Sequence, residues 1–201
     1  MSTHGAEDAA RRAAALLRDG RAKSLDEAIA IAAERAGLAA SEVAVADVRR
    51  HAQAMLMQEL GDDGYRRHVA DVLTRAEEAM TLLSTLPDEP ATSLVGRAVR
   101  GEVDADPRCR IRVWTDADIG DIAAMFVAAG YAEPEFATVE TRWGRLAQLV
   151  VDDDGVELRV TRCPPNARVP RDVSLTTKHA VPSASIDEVR TAIERLRRAG
   201  R

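Results

Sequence analysis

Hydrophobic positions recur at helical spacing through the first 86 residues and then switch to short alternating runs. Glu7 to Asp19 reads as an alanine-rich helix stopped by Gly20. Ser24-Leu25-Asp26-Glu27 has the spacing of a capping box, and the helix it opens runs to Gly37, a residue suited to a left-handed cap. A third helix is predicted over roughly Glu42 to Leu60, before Gly61. A fourth, over about Gly64 to Leu86, carries Val69, Val72, Leu73, Ala76, Met80 and Leu83 along one face and ends at Pro87.

The second part alternates. Ser93-Leu94-Val95 suits a brief strand leading to the Gly96–Gly101 turn region. From Arg108 to Trp114, Cys109, Ile111 and Val113 face one way and Arg108, Arg110 and Arg112 the other, out toward solvent. Asp118 and its neighbours supply a cap for a helix to about Ala129, closed by Gly130. Phe136 to Thr141, Leu146 to Val151 and Val156 to Thr161 read as strands, the last two joined by a tight Asp154-Gly155 turn. Three prolines between Cys163 and Pro170 mark a loop, and Ser185-Ile186-Asp187-Glu188 caps a final helix to about Ala199. The fold class is therefore α+β: a helical domain over 1–88, then a domain over 89–201 with a small mixed sheet and flanking helices.

Composition narrows the classes. At 201 residues, 46% apolar and 30% charged, the chain can build a core of its own, and it reads as soluble and cytoplasmic. No apolar run is long enough to span a bilayer, and the N-terminus lacks the pattern of a signal peptide, so membrane partners are not expected. The net charge of −5 and the acidic balance of the first helices argue against DNA, which binds through neutralised phosphates. Of 28 basic residues, 26 are arginines, as high-GC coding would produce. Two cysteines cannot make a disulfide framework, and four scattered histidines show no metal-ligand spacing. Cys109 falls on the apolar phase of its strand, an inert position. Cys163, next to Arg162, is the thiol that a neighbouring cation could activate.

The densest chemistry lies in Leu94-Val95-Gly96-Arg97-Ala98-Val99-Arg100-Gly101-Glu102 and, ten residues on, Arg110-Ile111-Arg112-Val113-Trp114-Thr115-Asp116. This stretch resembles the opening of the polymerase-β-type nucleotidyltransferase fold, where a glycine turn precedes a strand bearing Asp-x-Asp. More widely, the chain resembles uncharacterised bacterial proteins with a helical segment ahead of a degenerate domain of that kind. In an active member the glycine turn admits a triphosphate, and the paired carboxylates hold magnesium. Aligned on Gly96 and Arg100-Gly101-Glu102, however, those carboxylate positions hold Arg108 and Arg110, and only Glu157 is available as a third acid. Arginine is permanently charged and cannot ligate a cation. The resemblance thus implies a non-catalytic binding or regulatory module with no metal site and no cofactor.

Its ligand-binding candidates are Gly96, Arg97, Arg100, Gly101, Arg108, Arg110, Arg112, Glu157 and Arg159, an arginine-rich frame for nucleotide, RNA or another phosphate-bearing ligand. Two other readings stand beside it. In one, Asp104 and Asp106 replace the missing metal ligands and the chain is an active nucleotidyltransferase. In the other, the helical half mediates protein contacts or self-association. Interleaved acids such as Glu102, Asp104, Asp106 and Glu157 also allow a plain network of cross-strand ion pairs with no ligand at all.

Overall fold

Alanine at the helix contacts lets the first helices approach closely. In the computed structural model, which describes residues 3–177 and 179–200, the helices α1 (Thr3–Arg18) and α2 (Leu25–Ala36) share one core. It is built from Ala9, Ala10, Ala13, Ala14, Ala28, Ile29, Ala32 and Ala33, closed by Val43 and Val48. Ser24 Oγ accepts the Glu27 amide at 3.2 Å, as the capping pattern predicts, but the Glu27 carboxylate takes the amide of Lys23 rather than that of Ser24. A short turn over Ala40–Glu42 leads into α3 (Val45–Leu83). As expected, α3 is two helices that meet at Gly61, whose φ of 66° and ψ of 173° leave the helical region; the first begins a few residues later and the second ends a few residues earlier than the sequence suggests. A residue with a Cβ would be strained there.

The chain forms two compact units, Met1–Tyr65 and Arg66–Arg201. The division lies earlier than the limit at 88/89 expected from the sequence, because Val69, Val72, Leu73, Ala76, Met80 and Leu83 of α3 are buried in the second unit. That sheet comprises β1 (Ala91–Val95), β2 (Arg108–Trp114), β3 (Glu135–Thr141), β4 (Gly144–Asp153), β5 (Val156–Cys163) and β6 (Ser183–Ala184). Their spatial order is β3-β4-β5-β2-β1-β6. β2 runs parallel to β5 and every other neighbouring pair is antiparallel, so the sheet is mixed and the fold is α+β.

Local chemistry explains the joints. Asp154 and Gly155 take φ of 53° and 81°, the turn whose twist matches a two-residue hairpin between β4 and β5. Asp118 caps α4 (Ile119–Ala128) by accepting the Gly120 amide at 2.8 Å. At α5 (Ile186–Ala199) the box is fully reciprocal: Ser185 N donates to Glu188 at 2.8 Å, and Glu188 N to Ser185 Oγ at 3.4 Å.

The sheet's two faces differ. On one, Leu94, Ile111, Val160 and Leu149 form a single rung across four strands, all fully buried. Phe126 and Ile122 of α4 and Val189 and Ile193 of α5 are buried as well. On the other, Leu146, Cys163 and Val169 form a smaller core with Trp114, Val139 and Leu175. The segment after β5 supplies its cover: Trp114 Nε1 donates to the Val169 carbonyl at 2.8 Å, and a bridge between Val173 and Ala180 folds the chain back on itself. No helix among the described residues is long and apolar enough to cross a membrane.

Candidate functional site

Strand alternation places Arg108, Arg110 and Arg112 on the face opposite the main core, as expected, and register then decides which of them meet. In the parallel β2–β5 pair, Arg108 lies beside Glu157, Arg110 beside Arg159, and Arg112 beside Thr161. Two arginines on adjacent strands are therefore register partners, about 4.8 Å apart at the backbone. Next to them, Gln148 Nε2 donates to Thr161 Oγ1 at 2.8 Å.

Above this part of the sheet is a cavity of about 220 Å³. Arg110, Arg112 and Arg159 line it together with Gln148, Thr161 and Gly96. Ser174, Leu175, Thr176 and Val181 come from the segment that folds over the face, and Val95 and Val139 add apolar wall. Among the described residues no carboxylate lines it, although Glu157 reaches Arg159 from outside. Gly96 turns the chain at the rim with φ 94° and ψ −151°, a backbone state open to glycine, and its amide donates to the Pro182 carbonyl at 2.8 Å.

Arg112 departs from expectation. Rather than facing solvent it is only 3% exposed, because the segment after β5 closes over it. Its Nη1 donates to the carbonyls of Pro170 at 2.7 Å and Arg171 at 3.2 Å. Burial lowers its pKa from the ordinary arginine value. The Nε–H groups of Arg112 and Arg159 are both shut off from solvent with no acceptor among the described residues. A buried polar group without a partner carries a free-energy cost, so these donors are notable.

The remaining predicted residues gather elsewhere or are engaged. Arg97 is held by Glu102 at 3.3 Å and Asp104 at 3.7 Å, and Arg100 pairs with Glu102 at 3.9 Å. Gly101 caps the short turn Arg97–Arg100 with φ 70°. Arg108 bonds Asp106 at 2.6 Å and approaches Glu157 at 3.8 Å; although burial disfavours its charge, those acids raise its pKa above the ordinary value. Glu157 also holds Arg159 Nη2 at 3.0 Å. The network of ion pairs is thus real along the edge of this face, and it reaches the cavity through Arg159. Sequence reasoning missed Gln148, Thr161, Ser174 and Thr176. Of these, Gln148 carried a signal, a lone amide inside the apolar run Leu146 to Val151.

The magnesium that an active member holds, and that the reading with displaced ligands would require, does not fit these residues. Asp104 is buried against Arg97 and accepts the Asp106 amide at 3.2 Å, Asp106 is bound by Arg108, and Glu157 is shared by two arginines. Among the described residues no three acidic, histidine or cysteine side chains converge as ligands. Cys163 is not activated: burial pushes its thiol up to about 11, outweighing the opposing pull of Arg112 and Arg162. Cys109, fully buried, is pushed up to about 12. No protein-family model matches the chain, and no curated protein aligns with it.

Proposed function

We propose that this protein is a non-catalytic binding module that recognises a phosphate-bearing anion on the arginine face of its sheet. The observation that carries the reading is the cavity lined by Arg110, Arg112 and Arg159 and by no carboxylate. Side-by-side arginines are mutually repulsive, and an anion converts that repulsion into charge-assisted hydrogen bonds of about 1.5–3 kcal/mol each. The strand positions that resemble metal-binding carboxylates hold Arg108 and Arg110, which favours binding of an anion over metal-assisted transfer.

Thermal unfolding with inorganic phosphate, ATP or RNA tests the reading. At low salt and about 100-fold above Kd, the bound state gains about 2.7 kcal/mol, a rise in Tm of several degrees. That shift fades at high salt. It disappears in Arg110→Gln/Arg159→Gln and persists in Arg108→Ala, whose guanidinium is occupied by Asp106 and Glu157. Equal shifts in the wild type and the Arg110/Arg159 double variant, or none in either, would reduce this face to a charge network. Transfer of label from ATP, CTP or GTP with Mg²⁺ or Mn²⁺, lost in Glu157→Gln, would instead make the protein a transferase.

A further inference from the structure

We propose that the cavity is specific for a phosphomonoester: one terminal phosphate on a small body, in preference to a nucleoside triphosphate or the internal phosphodiester of RNA. This rests on the anion reading above and narrows it. Three features of the site point the same way.

The first is charge. Arg110 and Arg159 are register partners and Arg112 is two residues further along, held by two carbonyl oxygens; with Glu157 on Arg159 as the one carboxylate bonded to the three among the described residues, the group keeps a positive excess of about two charges. A monoester carries about 1.5 to 2 negative charges near neutral pH and three terminal oxygens. A diester has a single charge and two free oxygens, and so compensates this group of guanidiniums less completely. The two buried Nε–H donors of Arg112 and Arg159 lack acceptors, so additional oxygens have donors to meet.

The second is size. Pockets for drug-sized ligands span about 300–1,000 Å³. At about 220 Å³ this one lies below that range. That suits a phosphate with a small body better than a whole nucleoside triphosphate, most of which would sit outside the recess. The third is the wall. Ser174, Leu175 and Thr176 belong to the segment that folds over the sheet, so the site is a recess walled on that side, open to solvent at Arg110 and Thr176, rather than a track along which a strand could run. Val139 and Leu175 offer apolar surface to the body, and the Ser174 and Thr176 side chains bring hydroxyls.

Isothermal titration at low salt tests the class with four probes: glycerol 3-phosphate, dimethyl phosphate, ATP and a 5′-hydroxyl RNA hexamer. Glycerol 3-phosphate is expected to bind at least tenfold tighter than the other three. In Arg110→Gln its affinity falls at least fivefold while the circular dichroism spectrum stays unchanged, since Arg110 is an exposed side chain. Should that variant lose its fold, Arg159→Gln serves in its place. ATP or the RNA binding as tightly as the monoester overturns this inference and leaves the anion reading standing. Silence from all four probes overturns both. Monoester binding that is unchanged in the folded variant places the ligand elsewhere and overturns the assignment of this cavity.

Discussion

Two consecutive rungs of the same four strands have opposite characters. Leu94, Ile111, Val160 and Leu149 make one rung, sealed completely from solvent. One residue along each strand, Val95, Arg110, Arg159 and Val150 make the next, on the other face, with two arginines side by side. Burial of apolar area, worth about 25 cal/mol per Å², secures the first rung. The second places like charges together, which sheets ordinarily avoid. One face therefore holds the fold together, and the other keeps an electrostatic arrangement that a bound anion would complete. That division can be tested by breaking each side in turn.

The largest effect belongs to the sealed rung. Ile111→Ala removes a fully buried side chain from the middle of the sheet and should cost about 2–5 kcal/mol in urea unfolding. Anion affinity should survive under conditions where the variant is folded, because this side chain faces away from the arginines. A loss below about 1 kcal/mol would mean that the rung is not the structural centre it is taken for.

Arg112 comes next, as the arginine that belongs to both descriptions. Arg112→Leu keeps bulk but strips the carbonyls of Pro170 and Arg171 of their donor, at about 1–3 kcal/mol for each group left buried and unpaired. Hydrogen exchange should accelerate from Val169 to Val181, where the chain depends on this anchor, and remain unchanged in β4 and β5. Uniform protection in both proteins would show that Trp114 and the small core around Cys163 hold the segment unaided.

Arg112 also marks where the sequence stops being readable. Period-two alternation correctly put it opposite Ile111, but alternation specifies a side of the sheet and not what covers that side. The cover arrives from residues 169–177, nearly sixty positions away, in a stretch with no periodicity to interpret. Local signals fared better: the Asp154-Gly155 turn, the Ser185 box and the Asp118 cap each depend on neighbours within four residues. The Arg110–Arg159 pairing depends on a parallel register between distant strands, so only the arginines and not their meeting were legible. Gly61 was visible as a break with helix on both sides, because a glycine stop and the apolar periodicity after it are both local signals.

A smaller effect reports on the sealed face from within. Burial raises the Cys109 thiol from 9.0 to about 12, so the folded protein keeps it protonated while the unfolded chain releases its proton above pH 9. The unfolded state then binds fewer protons, and stability must fall as pH rises from 9 toward 12, by about 1.4 kcal/mol per unit for this thiol. Cys109→Ala lacks that component. Between pH 9 and 10 its unfolding free energy should therefore fall by about 1 kcal/mol less than the wild type's. Parallel slopes would mean that Cys109 ionises in the folded state and that the rung beside it is open to water.

The smallest effect has the opposite sign and separates the two faces most sharply. Arg110→Gln removes one member of the like-charged pair while keeping a polar, exposed side chain on the strand. Relief of that repulsion should stabilise the ligand-free protein by about 0.2–1 kcal/mol at low salt. Adding salt should shrink the difference, because ions already screen the pair in the wild type. The same substitution is expected to weaken anion binding, so the ligand-free protein gains stability from the change that damages the site. Equilibrium unfolding at about 20 mM and 500 mM NaCl, without any anion beyond chloride, supplies the comparison. A destabilised variant, or a difference that does not respond to salt, would mean that Arg110's other interactions outweigh the repulsion and that the second rung is as structural as the first.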